Sequence, residues 1–368
     1  MSVVRLLLFA VLLLAALGCL YTFYFYRFSP AHLSTRLSPL LWNYSAHKIN
    51  WLAANSTWNL DTLTTLHRLG LYCTTDCDSS QFPNPPFVTG VSENHFEQIF
   101  ALLDSYLEYF KNKPAQKRNL YVYDLGLGQA SRAMVKKYEK FGVFLRQFQF
   151  DSYPSFVRNM LEYRWKPLIV AECLSEFKAC WWFDSSIRFL PHRDIEVQEN
   201  WTRAHRNVMV DGKTGHSIFA ATHSGMYRYL PIPTEAAKKL DMFAANVMLF
   251  YATEHVKRSI MRVWVLCALT KDCMAPPGSQ VHCHFARGDS MNIYAHCNRF
   301  DQSAINIILA LDTNFTQNQY GNCAPSAFDV DRLDVFMVLK GNLNHLLIAL
   351  VLLVFIIVGL CVLSRRKV

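Results

Sequence analysis

The stretch WWFDSSIRF (Trp181–Phe189), with the run KPLIVAECLSEFKAC (Lys166–Cys180) before it, predicts the fold. Pro167 suits a first helical position, and apolar residues follow it at helical spacing: Val170, Ala171, Leu174 and Phe177. The aromatic run then ends at Asp184, followed by two serines. A helix followed by an apolar strand that ends in a carboxylate is typical of the ligand-binding edge of an open α/β sheet. The alternative interpretation of Asp184 is an ordinary turn or helix N-cap, because Asp-Ser-Ser is good turn chemistry.

Alternating β and α patterns on both sides of this stretch predict a layered α/β domain, a Rossmann-type, mostly parallel sheet flanked by helices. The run LYVYDLGLG (Leu120–Gly128) predicts a strand that ends at Asp124 and turns through Gly126 and Gly128. The other predicted helices are Glu93–Phe110, Ser131–Phe141, Lys166–Phe177, Thr234–Leu240, Thr253–Leu269 and one beginning within Arg299–Leu311. The other predicted strands are Val143–Phe150, Ser217–Ala221 and Ala245–Tyr251. GLG is not the full dinucleotide fingerprint, which argues against a nicotinamide enzyme.

Two uncharged apolar segments predict transmembrane helices at the ends of the chain. Residues 6–26 are long enough to cross a bilayer of ~30 Å, and residues 346–363 form a second, shorter span. A cleaved signal peptide is the alternative for the first, but its length and aromatic end favour an uncleaved signal anchor. Arg5 before the first span and the basic residues after the second predict that both termini are cytoplasmic.

This orientation divides the chain into seven parts, with everything between the spans in the lumen of the secretory pathway or outside the cell. The predicted parts are a cytoplasmic tail (1–5), a signal anchor (6–26), a luminal stem and cap (27–117), the α/β domain (118–325), a linker (326–345), the second transmembrane helix (346–363) and a cytoplasmic tail (364–368). We expect a secretory-pathway membrane, in the Golgi or the endoplasmic reticulum, with the plasma membrane as the alternative.

Glycosylation sequons and cysteines agree with a luminal placement. Four N-x-S/T sequons lie between the spans, at Asn43, Asn55, Asn200 and Asn314. Nine cysteines also lie there, and in an oxidising compartment they favour disulfide bonds, with one thiol left over. Cys73/Cys77 and Cys267/Cys273 are close enough in sequence for local bridges. The string VHCHF (Val281–Phe285), even with His296 and Cys297 nearby, matches no closed structural zinc site.

The charge of the chain excludes some partners. The formal net charge falls from +9 to +5 when Arg5 and the three basic residues of the C-terminal tail are set aside. This mild excess suits an anionic ligand, but no dense basic patch predicts nucleic-acid binding. A transporter or channel is disfavoured, because neither span carries a charged residue and two spans do not easily enclose a pathway.

The order of motifs resembles that of GT-A glycosyltransferases, especially the glycogenin-type family and its bacterial galactosyltransferase relatives. Those enzymes carry a basic residue in the helix before a strand ending in Asp-x-Asp, then an F-N-x-G strand start, then D-Q-D-x-x-N. The counterparts here are Lys166, Asp184-Ser185-Ser186, Phe243-Ala244-Ala245-Asn246 and Asp301-Gln302-Ser303-Ala304-Ile305-Asn306. Over residues 90–320 the chain also resembles a nematode-expanded family of uncharacterised membrane proteins with YDLGL, W-x-D-x-S and FDQSAIN motifs.

The resemblance implies a GT-A-like fold and a nucleotide-sugar donor, such as a UDP-sugar. It implies catalytic roles for Asp184, Asp301 and Gln302, and donor contacts for Asp124, Gly126, Gly128, Lys166 and Arg188. Asp-x-Asp coordinates Mn²⁺ or Mg²⁺ in such enzymes, and Asp184 is the candidate metal ligand here. Ser186 replaces the second Asp, however, and Lys166, Arg188 or Arg299 are the alternatives for neutralising the diphosphate. Ala244, Asn246 and Ser303 depart from the pattern as well.

Two functions therefore remain from the sequence. The first is a luminal, membrane-bound hexosyltransferase that moves a sugar from a nucleotide-sugar to a glycan or glycoprotein acceptor. The second is a catalytically degenerate membrane glycoprotein that binds glycans or protein partners, which Ser186 and Ser303 favour. Ordinary interpretations of the same residues are an N-cap for Asp301, a solvated surface charge for Lys166 and a structural histidine for His223.

Overall fold

A computed structural model describes residues 60–71, 84–286, 288–321 and 326–330 of the chain. Both predicted transmembrane segments lie outside these ranges, as do Asn43, Asn55, Cys73, Cys77 and Cys323. Within the ranges, the helices are too short or too polar to cross a bilayer.

The described chain forms ten strands and nine α-helices, joined by turns and short 3₁₀ segments. The strands are β1 (Phe87–Val91), β2 (Leu120–Asp124), β3 (Val143–Gln147), β4 (Ala179–Phe183), β5 (Ile187–Phe189), β6 (Val208–Val210), β7 (Lys213–Ser217), β8 (Asp241–Phe243), β9 (Val247–Tyr251) and β10 (Phe328–Val330). The helices are α1 (Leu60–Arg68), α2 (Phe96–Lys111), α3 (Gln129–Lys136), α4 (Trp165–Phe177), α5 (Ile195–Ala204), α6 (Thr234–Lys239), α7 (Arg262–Leu269), α8 (Lys271–Met274) and α9 (Asp301–Asp312). A π-helical turn, Val256–Met261, leads directly into α7.

The central sheet is mixed and mostly parallel, as predicted. Its six strands lie in the order β3-β2-β1-β4-β9-β6, and the first four are parallel to one another. Strand β9 runs antiparallel to both neighbours. Because β9 is reversed, the turn that precedes it meets the carboxyl end of β4, where Phe183 pairs with Val247. The carboxyl ends of β1, β2 and β4 thus share one edge with this turn, an edge where open α/β sheets bind ligands.

Strand β4 is buried on both faces, which explains its unbroken apolar sequence. Side chains alternate across a strand, so Cys180 and Trp182 pack into one core and Trp181 and Phe183 into the other. The first core contains the apolar residues of α4, α7 and α9, and the second contains those of α2. Strand β4 is therefore held firmly up to the residue before Asp184.

The elements around β4 are close to those predicted, and others differ for local reasons. Helix α4 begins one residue before the predicted Lys166. The predicted strand Ser217–Ala221 is wrong, because the Ser217 hydroxyl accepts the Ala220 N–H at 3.0 Å and turns the chain. The predicted helix Ser131–Phe141 ends early at Lys136, and Gly142 (φ 80°) closes a short 3₁₀ turn before β3. Strand β3 also ends at Gln147, short of the predicted Phe150.

The central sheet and a separate two-stranded sheet, β10-β5, both include segments that the sequence placed outside the α/β domain. Strand β1, from the predicted stem and cap, pairs with β2 on one side and β4 on the other. Strand β10, from the predicted linker, pairs antiparallel with β5. These pairings are non-local, and the short sequence FVTGV of β1 does not indicate which strands it pairs with.

Two disulfide bonds occur in the described chain. Cys267–Cys273 confirms the predicted local bridge, and Cys283–Cys297 joins the VHCHF string to the segment after it. Cys173 and Cys180 are buried free thiols.

Candidate functional site

Lys166 is the centre of a buried ionic cluster at the carboxyl edge of the sheet. Its Nζ lies 3.1 Å from Asp184 Oδ1 and 2.7 Å from Asp301 Oδ2, and it donates to the Ala245 carbonyl at 2.9 Å. An ammonium has three N–H donors, so each of them has a partner. Lys166 is thus a buried residue that orients two carboxylates, and its interpretation as a solvated surface charge is wrong.

Four separate segments bring this cluster together. Lys166 lies in the first turn of α4, Asp184 directly after β4, Ala245 in the turn before β9, and Asp301 at the first position of α9. They are the four segments whose motif order resembled GT-A enzymes.

Hydrogen bonds to backbone groups fix the positions of these segments. The Asp184 N–H donates to the Asn246 carbonyl at 2.8 Å, which joins the end of β4 to the turn before β9. The Asn306 amide accepts the Phe243 N–H and donates to the Phe243 carbonyl, both at 2.8 Å, which joins α9 to β8. The Trp264 indole of α7 donates to the Asp301 carbonyl at 3.2 Å. Asn306 is therefore a packing residue.

Burial and charge act against each other within the cluster. The side chains of Lys166 and Asp301 are 4% and 5% exposed, whereas that of Asp184 is 37% exposed. Burial alone would lower the pKa of Lys166, but Asp184 and Asp301 outweigh it and raise that pKa, so the ammonium stays charged. Burial raises the pKa of Asp301, and Lys166 offsets part of this effect. With both carboxylates ionised the cluster carries a formal charge of −1, and Asp184 is its solvent-accessible face.

The side chains of this cluster do not fit a divalent metal ion. The ammonium of Lys166 lies between the two carboxylates, where a bound cation would have to lie. Asp184 Oδ1 also accepts the Trp182 indole N–H at 3.0 Å, and Ser186 offers no carboxylate. Throughout the described ranges, no three His, Cys, Asp or Glu side chains are grouped as metal ligands. Asp184 as a Mn²⁺ or Mg²⁺ ligand therefore gains no support from its surroundings.

Gln302 and Ser303 mainly hold the backbone around the cluster. The Gln302 amide contacts Met242 Sδ at 2.9 Å and accepts the Ala245 N–H at 3.4 Å. The Ser303 hydroxyl donates to the Ala221 carbonyl at 3.0 Å and accepts the Arg299 N–H at 3.1 Å. Gln302 thus supports the turn that carries Ala245, which makes it a positioning residue in this arrangement.

A second polar cluster closes the loop after β2. Asp124 Oδ1 accepts the N–H groups of Gly126 and Leu127 at 2.8 and 2.7 Å, and Oδ2 pairs with Arg132. Gly126 has a φ of 119°, which L-residues rarely adopt.

The first turn of α3 is occupied by a carboxylate from the same chain. The Gly128 N–H and the Ser131 hydroxyl donate to Glu93 at 2.7 and 2.8 Å. The hydrogen bond from Gly128, followed by that from Ser131, lowers the pKa of Glu93. Asp124, Gly126 and Gly128 therefore belong to a self-contained cap, and the structure does not bring them into contact with Lys166.

Arg188 supports the turn after Asp184. From β5, its guanidinium donates to the carbonyls of Ser185 and Ile187 at 3.0 and 2.8 Å. The sequence predicted that Arg188 contacts the donor. In the structure, the nitrogen that makes these two hydrogen bonds holds the backbone of the Asp184–Ile187 turn.

Two aromatic residues beside the cluster were missed by the sequence analysis. Tyr163 has a φ of 53°, and Phe300, directly before Asp301, has a φ of 45° with ψ −107°. The Tyr163 ring lies 5.7 Å from Lys166 Nζ and 6.5 Å from the Phe300 ring. Neither residue type favours positive φ, so the local sequence carries no signal for these conformations.

Two of the predicted glycosylation sites lie in the described ranges. Asn200 is exposed on α5 and Asn314 is exposed in the turn after α9. Both side chains are accessible, and their glycosylation stays a prediction.

Comparison with protein families gives one match. Residues 56–171 match the model of a protein family of unknown function, DUF1647. The matched region contains β1–β3 and Lys166 and ends within α4, before Asp184. No curated protein matches the sequence.

Solved structures with a similar fold include three transferases. A bifunctional glycosyltransferase, WbbM, is 13% identical over 64% of this chain and 38% of its own, with a TM-score of 0.39. An active-site mutant of LgtC is 10% identical over 67% of this chain and 86% of its own, with a TM-score of 0.39. Mouse xyloside xylosyltransferase 1 is 9% identical over 65% of this chain and 84% of its own, with a TM-score of 0.37. Because every TM-score is below 0.5, the function proposed next rests on this chain's own side chains.

Proposed function

We propose that the chain is a GT-A-like, membrane-bound hexosyltransferase of the secretory pathway, with both termini in the cytoplasm. It moves a sugar from a nucleotide-sugar to a glycan or glycoprotein acceptor in the lumen. The observation that carries this proposal is the contact of Lys166 with both Asp184 and Asp301. That contact unites the segments that resemble glycosyltransferase motifs, at the edge of the sheet where ligands bind.

The carboxylates suit the sugar of the donor. Lys166 and Trp182 both contact Oδ1 of Asp184, which leaves Oδ2 of this half-exposed residue to accept a sugar hydroxyl. Hydrogen bonds to an ionised carboxylate are stronger than those between neutral groups. Lys166 acts through the two carboxylates, since its own three donors are taken. Asp184 is thus the residue that contacts the sugar, and Asp301 helps Lys166 to hold it in position.

Arg299 is the candidate for the departing diphosphate. Arg299 precedes Asp301 by two residues, and its backbone N–H donates to the Ser303 hydroxyl at 3.1 Å, so its side chain begins beside the cluster. Among the described residues its guanidinium makes one long hydrogen bond, 3.5 Å to the Val281 carbonyl. An arginine with unused donors can hold phosphate oxygens and stabilise the charge that develops as the sugar leaves.

A second function is favoured by a different observation. The formal charge of −1 on the Lys166 cluster repels a diphosphate, and Glu93 fills the α3 N-terminus where such a group could otherwise bind. A degenerate transferase domain that binds glycans through Asp184, without a nucleotide, fits these two facts. The two functions differ in whether the nucleotide contributes to binding.

Thermal stability of the full-length protein distinguishes the two functions. The chain is expressed in a secretory host, purified in detergent and mixed with UDP-glucose, UDP-galactose, GDP-mannose, UDP or GDP, with and without Mn²⁺. If it is a transferase, one donor raises the melting temperature of the wild type and Asp184→Asn removes the shift. Nucleotide release with an added glycan acceptor measures turnover.

The matched control is Asp104→Asn, the same change at an exposed position on α2. This variant should keep the donor-induced shift. A folded wild type that responds to none of the five nucleotides, but binds glycans, contradicts the transferase and supports the second function.

A further inference from the structure

We propose that Tyr163 contacts the donor sugar, with its ring packed against the C–H face of the pyranose and its hydroxyl facing the ring hydroxyls. Tyr163 then contributes to the choice of sugar. This inference rests on the proposed transferase function, because it assigns a second contact to the sugar that Asp184 is proposed to hold.

The position of the ring is the first support. The ring of Tyr163 lies 5.7 Å from Lys166 Nζ, the atom that contacts Asp184 and Asp301. The ring therefore lies beside the ammonium that holds both carboxylates, next to a sugar bound at Asp184. A pyranose has the matching chemistry, since its hydroxyls donate to carboxylates and its C–H face is apolar. A flat ring also offers contact area at low conformational-entropy cost.

The backbone of Tyr163 is the second support. A φ of 53° places a bulky side chain in the left-handed region, which costs free energy that Asn or Gly would not incur. Phe300, whose ring is 6.5 Å away, also has positive φ. Such conformations persist when the surroundings hold them, and they concentrate at functional sites.

Arg164 shows what holds this conformation. It is fully buried, and its guanidinium donates to the carbonyls of Ala268, Thr270 and Lys271 at 2.9, 3.1 and 2.5 Å. These carbonyls lie at the C-terminal end of α7, directly after it and at the start of α8. Arg164 thereby fixes the residue after Tyr163 to a rigid element. The Lys166 N–H also donates to the Tyr163 carbonyl at 3.1 Å, and on the other side the Tyr163 N–H donates to the Met160 carbonyl at 3.3 Å.

The hydroxyl of Tyr163 is available for a ligand. The ring is half-buried, and the hydroxyl makes no hydrogen bond to any described residue. Packing among Tyr163, Trp165 and Phe300 would be satisfied by phenylalanine, which leaves the hydroxyl without a structural task.

Three variants of the full-length protein test this assignment by thermal shift and by KM and kcat. Tyr163→Asn removes the ring and suits positive φ, which offsets part of the packing lost against Trp165 and Phe300, so the variant should still fold. We expect its affinity for the best nucleotide-sugar of the panel to fall about tenfold or more, with unchanged affinity for the corresponding nucleotide diphosphate. Tyr163→Phe should show a smaller loss that differs between UDP-glucose and UDP-galactose. The matched control, Tyr138→Phe, should change neither affinity.

The outcomes separate this inference from the proposed function. A wild type that binds no nucleotide-sugar overturns both. A wild type that binds one, with a Tyr163→Asn variant that binds it equally well, overturns the role of Tyr163 alone. An equal loss of affinity for nucleotide and nucleotide-sugar also overturns it, because a general disturbance of the site would not single out the sugar.

Discussion

Two carboxylate clusters lie at the same edge of the sheet, and their hydrogen bonds differ. In the loop after β2, Asp124 accepts hydrogen bonds from two backbone N–H groups and pairs with Arg132. Glu93, from the segment after β1, accepts a backbone N–H and a hydroxyl of the same loop and helix start. These contacts complete a turn and a helix start. After β4, Asp184 shares Lys166 with Asp301 and keeps one oxygen outside these contacts, in a half-exposed side chain.

The comparison shows why two carboxylates that both follow a strand end, Asp124 and Asp184, can have different roles. A carboxylate whose lone pairs are used by its own loop stabilises that loop and has little left for a ligand. A carboxylate held by a buried lysine, next to strained aromatic residues, is oriented and still has an acceptor to offer. The cluster after β4 is therefore the one that we propose as the binding site, and the one after β2 is its structural counterpart.

The largest expected effect comes from removing the ammonium. Lys166→Met leaves the largely buried carboxylate of Asp301 without its counter-charge, so we expect the free energy of unfolding to fall by about 3–5 kcal/mol. Urea unfolding of the full-length protein measures this change. Lys111→Met, at an exposed position on α2, is the control.

Adding Asp301→Asn to Lys166→Met should recover part of the lost stability, because it removes the uncompensated charge. A loss of less than about 1 kcal/mol in the single variant would show that the carboxylates do not depend on Lys166.

An intermediate effect on the free energy of unfolding is expected from replacing Asp124 in the loop after β2. Asp124→Ala leaves the N–H groups of Gly126 and Leu127 without their acceptor, which costs about 1–3 kcal/mol of unfolding free energy. The response to the nucleotide-sugar should be retained, in contrast to Asp184→Asn. Urea unfolding and the donor-induced thermal shift, measured on both variants, test whether stability and donor binding are affected separately at the two positions. Loss of the donor response in Asp124→Ala would place the loop in the binding site.

The smallest effect is expected for Glu93→Gln, which keeps the size of the side chain and removes its charge. The folded-state pKa of Glu93 is lowered, so its carboxylate stabilises the fold fully above its ordinary pKa of about 4.3. This stabilisation is lost as the pH falls through the lower folded-state pKa. The variant should therefore melt below the wild type at pH 7, and the difference should shrink as the pH falls below the ordinary pKa.

Melting curves of wild type and Glu93→Gln across this pH range test the cap. Glu108→Gln, at an exposed position on α2, is the control. A stability difference that persists unchanged at pH 3 would contradict a role of the Glu93 charge.

Much of this arrangement was predictable because its signals are local. The helical spacing after Pro167 identified α4, and the aromatic run ending at Asp184 identified β4. The order of the Lys166, Asp184, Phe243–Asn246 and Asp301 segments pointed to one edge of the sheet, and the structure brings all four together. Cys267 and Cys273, six residues apart, were close enough in sequence to suggest a local bridge, and the structure forms it, because a short loop closes easily.

The sequence by itself thus determined the alternation of helices and strands and the residues that follow strand ends, since both depend on hydrophobic periodicity and turn chemistry. Tertiary structure decided what those residues contact. The role of β1 between β2 and β4, the cap that Glu93 forms on α3 and the burial of Lys166 between two carboxylates are non-local. The Lys166 cluster in particular depends on β9 running antiparallel, because the turn that carries Ala245 then meets the end of β4. Positive φ at Tyr163 is likewise imposed by packing, against the preference of the residue itself.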